Sequence, residues 1–201
     1  RYGLSEYYPL FDEYYRVYSE KNTELWSLYH HNRISKEALI VERFRYPLQR
    51  VGAYNDKLVL QLNADYLSVL SEQGELVPQA RELLDYLKSR SYRLHIISNG
   101  FKEVQFKKMK SAGIENYFEK IILSDEVGVN KPHPDIFRYA LNKTGSSKNT
   151  SLIIGDNYDA DILGAMRSGL DQVYFNPLQK QISDEFPTYE VQTLSEICDI
   201  L

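Results

Sequence analysis

The first third of the chain carries apolar residues at helical spacing and contains no convincing strand. Between residues 10 and 70, four stretches repeat apolar positions every three or four residues, which is the period of an amphipathic helix. The apolar positions are Leu10, Tyr14, Val17 and Tyr18; Leu25, Trp26 and Tyr29; Leu39, Ile40, Phe44 and Leu48; and Leu58, Leu62, Tyr66 and Leu70. The pattern predicts four helices in a small bundle, one of which starts at Ser35.

The remainder of the chain alternates between the period of a strand and the period of a helix. Short β-rich runs predict strands at Tyr92–Ser98, Lys120–Ser124, Ser151–Gly155, Gln172–Asn176 and Tyr189–Val191. Amphipathic stretches of helical length lie between them, at residues 80–88, 102–112, 135–143 and 161–168. A further helix is predicted from Leu194 to the end of the chain.

Strands that alternate with helices are typical of a parallel sheet with helices on both faces. We therefore predict an α/β fold, a Rossmann-like parallel sheet, for residues 74–201. Residues 1–73 are predicted to form a separate all-helical domain, with a hinge at residues 72–78 around Gly74.

Composition and charge exclude several classes of partner. The net charge of −4 and the pI near 5.6 argue against a nucleic-acid polymer, whose binding surfaces are normally basic. No apolar run approaches the roughly 20 residues of a membrane span, so no membrane partner is expected. The single cysteine, Cys198, cannot form an internal disulfide, and no export signal is visible, which predicts a reducing cytoplasm. Nothing in the composition indicates an oligomeric state.

Groups suited to binding phosphate follow three of the predicted strands. Ligands of such sheets bind beyond the carboxyl ends of the strands. The first strand ends at Ser98 and is followed by Asn99 and Gly100. The Ser98 hydroxyl would therefore lie beside free backbone N–H groups, an arrangement that binds anions. Lys131 stands in the stiff loop after the second strand, and Asp156 follows the third. The sequence predicts that these groups converge on one edge of the sheet.

Each of these residues also has a purely structural interpretation. Ser98 and Asn99 could cap the helix predicted near residue 101. Lys131 could be an ordinary solvated lysine. Asp159 is interpreted as the N-cap of the helix that follows the third strand, and Asp156 could be a turn residue.

The cluster of acids after the third strand indicates a metal ion. Asp156, Asp159 and Asp161 would repel one another unless a positive charge lay among them. Oxygen ligands with positions left for water and phosphate suit Mg²⁺. We predict Asp156 and Asp161 as the metal-binding residues.

The motifs resemble those of a known family. The segments "SNG", "KPHPDIF" and "GDNYDAD" are similar in wording, order and spacing to motifs II, III and IV of the haloacid dehalogenase-like hydrolases. The resemblance covers residues 74–201, and the helical segment before them resembles the cap domain that this family inserts after motif I. The wording "SNGF", "VGVNKP" and "GDNYDADILGA" resembles the branch that contains pyrimidine 5′-nucleotidases.

The resemblance implies a mechanism through an aspartyl-phosphate. An aspartate of motif I would attack a phosphate monoester, and a second aspartate two residues later would act as acid and base. Ser98 would hold a phosphoryl oxygen, with Asn99 and Gly100 beside it, and Lys131 would neutralise the nucleophile and the phosphate. Asp156 would bind Mg²⁺, and Asp161 would support the ion directly or through water.

Motif I itself is absent from the printed sequence. The only Asp-x-Asp is Asp159-Ala160-Asp161, which belongs to motif IV, and Asp12 stands in a tyrosine-rich helical pattern. In the family, the strand that carries motif I lies in the middle of the sheet. We therefore expect the natural protein to begin some tens of residues earlier.

Two functions from different classes remain open on the sequence. The first is a Mg²⁺-dependent phosphatase of small phosphate monoesters, with nucleoside monophosphates as the leading substrates and Trp26 and Arg43 as candidate contacts to the leaving group. Both residues could instead pack the helical bundle. The second function is a catalytically inert relative that binds phosphate compounds or a protein partner. Two further functions are less favoured. Dehalogenation needs no metal, so it would not use the carboxylate cluster. A receiver-type signalling domain would leave the helical half unexplained.

Overall fold

The computed structural model describes residues 2–182 and 185–201. The chain divides into two compact units, Arg1–Leu70 and Ser71–Leu201.

The first unit is helical, but its helices are fewer and longer than predicted. Helix α1 spans Phe11–His30, α2 spans Lys36–Arg50 and α3 spans Asp56–Glu72, after a 3-10 turn at Leu4–Glu6. The prediction of four helices was wrong, because α1 contains the first two apolar stretches. The polar residues between those stretches include no glycine or proline, and they form an exposed or half-buried part of a single helix in which Lys21 pairs with Glu24 at 2.9 Å.

Aromatic and aliphatic side chains from all three helices fill the core of this unit. The buried members of the core are Tyr18, Phe44, Leu48, Val59 and Leu62. The predicted start of α2 is confirmed, since the Ser35 hydroxyl accepts a hydrogen bond from the Ala38 N–H at 3.2 Å.

The second unit contains parallel strands with helices between them, which confirms the predicted α/β class. The strands are β1 (Leu94–Ser98), β2 (Phe118–Leu123), β3 (Leu152–Gly155), β4 (Asp171–Phe175) and β5 (Tyr189–Val191). The helices are α4 (Ala80–Ser89), α5 (Lys102–Ser111), α6 (Ser124–Val127), α7 (Pro134–Thr144), α8 (Gly164–Arg167) and α9 (Ile197–Ile200). A π-helical turn at Tyr158–Leu163 leads into α8.

The strands form two ladders rather than one continuous sheet. Within the described residues, β1 pairs only with β2, whereas β3, β4 and β5 form a second ladder in that order, and every pair is parallel. Strands β1 and β3 therefore each have a neighbouring strand on one side only.

Helices cover both faces of these strands. The adjacent residues Leu152 and Ile153 of β3 point to opposite faces, as neighbours on a strand do, and each packs in a different cluster. Ile153 packs with Ile122 and with residues of α7 and α8, such as Phe137 and Ala165. Leu152 packs in the cluster formed by Leu83, Leu87, Val173, Val191 and Ile197. The predicted layers are thus present.

Among the described helices, none combines the length and the apolar character that crossing a bilayer requires.

Candidate active site

Ser98 lies at the carboxyl end of β1 and forms a tight turn with the residues after it. Its hydroxyl oxygen accepts hydrogen bonds from the Gly100 N–H at 3.0 Å and from Nε2 of Gln105 at 2.9 Å. Helix α5 begins at Lys102, and its N-cap residue, Phe101, makes no side-chain cap. Ser98 therefore stabilises the turn before α5 rather than capping the helix.

Asn99 joins this turn to the loop that holds Lys131. Its side-chain oxygen accepts from the Lys131 N–H at 2.8 Å, and its side-chain nitrogen donates to the Lys131 carbonyl oxygen, also at 2.8 Å. Asn99 is buried. Since the amide is used in this way, it fixes the position of the loop relative to β1, and any direct contact of Asn99 with a phosphate would have to come from its main chain.

The Lys131 side chain is buried between two segments of the second unit. Its ammonium nitrogen donates to the Ile97 carbonyl oxygen at 2.7 Å and to Oδ1 of Asp161 at 2.6 Å. The two charged side chains are only 14% and 9% exposed. The lysine is therefore not a solvated surface residue. An ammonium group has three N–H donors, and two of them are used here.

Asp161 lies in the π-helical turn after β3, where both of its carboxylate oxygens are occupied. Oδ1 accepts from Lys131, and Oδ2 accepts from the Asn157 N–H at 3.1 Å. Gly155 allows this arrangement, because a Cβ atom at that position would collide with the Asp161 side chain. The carboxylate is thus held against the end of β3 beside the ammonium group.

Two predictions about this segment were wrong. The N-cap is Asn157, whose side-chain oxygen accepts from the Ala160 N–H at 2.9 Å, and not Asp159. The segment at Asp161 is a π turn rather than the first turn of an α-helix. In this turn the Asp161 N–H bonds to the Asn157 carbonyl at 2.8 Å, and the carboxylate reaches back to the Asn157 N–H. The wider turn therefore folds the carboxylate back over Gly155.

Asp156 is exposed, directly beyond the last residue of β3. The residue before it, Gly155, pairs with Tyr174 of β4. Burial raises the pKa of the Tyr174 hydroxyl, and the negative charges of Glu190 and Asp156 raise it further.

The residues present are compatible with a magnesium ion. Within residues 2–182 and 185–201, no three His, Cys, Asp or Glu side chains are grouped closely enough to enclose a metal. Magnesium does not need such a group, since it usually keeps several waters and binds one or two carboxylates together with the oxygens of a phosphate. The exposed carboxylate of Asp156 suits this mode of binding, whereas both oxygens of Asp161 already accept hydrogen bonds.

The two residues predicted to contact the leaving group lie in the helical unit. Arg43 is 1% exposed, donates to the Asn63 side chain, and has its guanidinium carbon 4.6 Å from the centre of the Tyr66 ring. Burial lowers the pKa of Arg43. This environment favours the packing interpretation for Arg43. Trp26 is half-buried against the rings of Tyr29 and His30, and its contact with a substrate stays a prediction.

Sequence reasoning did not identify Gln105, Asn157 or Gly155 as part of the site. Gly155 was placed at the end of a strand, but its role depends on the Asp161 side chain that lies over it. For Gln105 the available signal was weak, namely an uncharged polar residue among lysines and apolar residues in α5, seven positions after Ser98.

The family model described as haloacid dehalogenase-like hydrolase matches residues 12–175. Two similar curated proteins are the pyrimidine 5′-nucleotidases PynA of Streptococcus pneumoniae and YjjG of Escherichia coli. Each is 30% identical over 191 residues, which is 94% of this chain and 79% or 83% of the relative, respectively.

A solved structure of a protein from the same family is similar to this chain. The magnesium-bound crystal structure of YfnB from Bacillus subtilis, described as a HAD-hydrolase, superposes with a TM-score of 0.88 at 30% sequence identity. The match covers 96% of this chain and 83% of the YfnB chain.

Proposed function

Since the chain belongs to the haloacid dehalogenase-like hydrolase family, we propose that it is a Mg²⁺-dependent phosphatase whose substrates are nucleoside monophosphates. That the protein is a phosphoric monoester hydrolase follows from the family and from the named relatives.

One observation carries the proposal, namely the buried contact between Lys131 and Asp161 beside the Ser98 turn. The ammonium nitrogen is 2.6 Å from the carboxylate and 2.7 Å from the Ile97 carbonyl, the residue before Ser98. Taking a charged ammonium group out of water costs free energy unless its remaining N–H donor also has a hydrogen-bond partner. A phosphoryl group is a suitable partner, because its transfer depends mainly on positioning and on neutralising negative charge.

Each residue of the site would have a separate role in binding the phosphoryl group. Lys131 would place its remaining N–H on a phosphoryl oxygen, and Ser98 would donate its hydroxyl hydrogen to another. Asp161 would orient the lysine through the hydrogen bond between them. A bound Mg²⁺, held by Asp156 and supported by Asp161, would supply further positive charge to the phosphoryl oxygens. The motif I carboxylate that would become the aspartyl-phosphate is not in the printed sequence.

The nucleotide preference rests on the relatives and not on a contact in this chain. Two relatives that match nearly the whole chain are named as pyrimidine 5′-nucleotidases. Aromatic faces stack on bases, and the half-buried Trp26 is the candidate residue for such a contact in the helical unit.

The test is release of inorganic phosphate by the protein as its gene encodes it, from a panel of UMP, CMP, AMP and a triose phosphate, with and without Mg²⁺. We expect the pyrimidine nucleotides to be hydrolysed fastest, and chelation of the metal to abolish release. Asp156→Ala should lower kcat by about 100- to 1,000-fold, since it removes an electrostatic group at the site of charge development. Glu75→Ala, which removes an exposed acid elsewhere in the same unit, is the matched control.

Unchanged activity of the Asp156 variant would contradict the metal site. Phosphate binding without turnover of any ester would instead favour the inert binding protein.

A further inference from the structure

The hydroxyl of Ser98 has both of its acceptor positions filled. It receives one hydrogen bond from the Gly100 N–H at 3.0 Å and a second from Nε2 of Gln105 at 2.9 Å. A serine hydroxyl has two acceptor lone pairs and a single O–H donor. With both lone pairs occupied, the hydrogen must point away from the turn and from α5.

Within residues 2–182 and 185–201, the hydrogen has no acceptor. Among the described residues, no hydrogen bond is found in which the Ser98 hydroxyl is the donor. The hydroxyl is half-buried at the end of β1. It is therefore kept as a donor toward a group that is not part of the described chain.

We propose that Gln105 is a positioning residue that fixes the Ser98 hydroxyl as a hydrogen-bond donor to a phosphoryl oxygen. This inference rests on the proposed function and assigns a role to a side chain that does not itself touch the substrate. Without Gln105, the hydroxyl would have a vacant acceptor position and would be able to rotate. With an acceptor in place of its N–H group, the hydroxyl hydrogen would turn toward α5 and away from the phosphate.

Gly100 provides independent support, because its lack of a side chain makes room for Gln105. A Cβ atom at Gly100 would collide with the Gln105 amide nitrogen and would lie 2.9 Å from the amide carbon. Gly100 does not have a positive φ angle, so its contact with Gln105, and not its backbone conformation, favours a glycine here. The amide thus rests on the Gly100 Cα, and the same residue that donates its N–H to Ser98 also leaves space for the second donor.

Two substitutions separate the direction of the hydrogen bond from the packing of the side chain. Gln105→Met keeps the length of the side chain and removes the donor. Gln105→Glu keeps the shape and replaces the donor by an acceptor that competes for the hydroxyl hydrogen. Gln73→Met, at an exposed glutamine in the same unit, is the control for the substitution itself.

The experiment measures the dissociation constant of inorganic phosphate by calorimetry in the presence of Mg²⁺, and kcat and KM with the best ester of the panel. A hydrogen bond to a charged group corresponds to about 10- to 100-fold in binding. Ser98→Ala should weaken phosphate binding by this factor, Gln105→Glu by at least as much, and Gln105→Met by about 3- to 10-fold. Thermal unfolding of each variant shows whether the fold is retained.

The decisive comparison is the double variant of Ser98→Ala with Gln105→Met. If Gln105 acts through Ser98, the second substitution adds no further loss once the hydroxyl is gone, whereas independent effects would add. An equal loss from Gln105→Met in both backgrounds overturns the inference. So does binding by both Gln105 variants at the wild-type level while Ser98→Ala binds weakly, and in that case the proposed function stands. A wild-type protein that neither binds phosphate nor hydrolyses any ester removes both.

Discussion

At the scale of single residues, two lysine–carboxylate pairs of similar length differ in their surroundings. Lys131 and Asp161 are 2.6 Å apart, and Lys102 and Glu126 are 2.8 Å apart. The side chains of the first pair are 14% and 9% exposed, whereas those of the second are 53% and 39% exposed. Distance alone would rank the two pairs as equal. Burial decides between them, because removing one partner of a buried pair leaves an uncompensated charge out of water.

We therefore expect Lys131→Met to destabilise the second unit by about 3–5 kcal/mol, since the Asp161 carboxylate stays buried without its partner. Urea unfolding followed by circular dichroism measures the change. Lys102→Met is the matched control and should have little effect, because its pair is solvated and screened. Equal effects of the two substitutions would contradict the view that Asp161 is held chiefly by Lys131.

The residues of the site differ in how far the sequence could predict their roles. Ser98, Lys131 and Asp161 follow strand ends in motif-like segments, and their position along the chain suffices to suggest a shared edge. The bonds between Asn99 and the Lys131 main chain, and between Gln105 and Ser98, join segments whose relative position is set only by folding. The burial of Arg43 among aromatic rings likewise depends on how the helices pack.

At the scale of elements, the start of α2 rests on a single side-chain cap. The Ser35 hydroxyl accepts from the Ala38 N–H, one of the donors at a helix start that lack a partner within the helix. Replacing such a cap by alanine costs about 1 kcal/mol. We expect this loss for Ser35→Ala, as a shift in the urea midpoint of tryptophan fluorescence. Trp26 is the single tryptophan of the chain and lies in α1, so it reports on the helical unit.

Ser19→Ala is the control for this prediction, because the Ser19 hydroxyl bonds to the Tyr15 carbonyl within α1 and does not cap a helix. Its expected effect is within a few tenths of a kcal/mol, since such bonds within a helix add little. A larger loss for Ser19→Ala than for Ser35→Ala would contradict the assignment of the cap.

Strand β1 contains a histidine that should make the second unit sensitive to acid. Neither ring nitrogen of His95 has a hydrogen-bond partner among the described residues. Burial lowers the pKa of His95; Glu119 acts in the opposite direction, and Arg93 and Lys120 add to the lowering. The neutral ring is therefore favoured in the folded state, and the unfolded chain binds the proton more readily. Its contribution to stability is present above the unfolded pKa of about 6.5 and is lost as the pH falls from there through the lower pKa of the folded state.

We expect the free energy of unfolding of the wild-type protein to decrease between pH 8 and pH 5, and His95→Phe to reduce this decrease. Urea titrations at four pH values in this range measure the slope. His31→Gln, at an exposed histidine of the helical unit, is the control for the substitution itself. A slope that is the same for His95→Phe and wild type would show that other groups determine the response to acid.

Periodicity predicted the strands to within about two residues at each end but failed at two helices. First, two apolar stretches that were predicted as separate helices both belong to α1, because a polar interval without glycine or proline does not interrupt a helix. Second, the structure has a π turn at Tyr158–Leu163 where the start of an α-helix was predicted. In that turn the Asp161 side chain lies over Gly155, a contact that the pattern of apolar residues does not encode.

At the scale of the whole molecule, the alternation of periods was sufficient to predict an all-helical part and a parallel α/β part. The number of ladders was less accessible, since strand order depends on which edges meet in three dimensions. Within the described residues, β4 is the strand with neighbours on both sides, and Val173 and Tyr174 in its centre are buried. All five residues of β1, in contrast, are half-buried.

This difference predicts a pattern of amide hydrogen exchange. Amides that are bonded to strands on both sides and covered by apolar side chains open only with the larger part of the structure, whereas amides at an open edge exchange through local motions. We expect the slowest exchange in β4, and fast exchange at those amides of β1 that do not bond to β2. Exchange followed by NMR distinguishes the two sets residue by residue. If the outward amides of β1 were as protected as Val173, the open edge of β1 would be covered in solution by a further strand. That result would contradict the assignment of an open edge to β1.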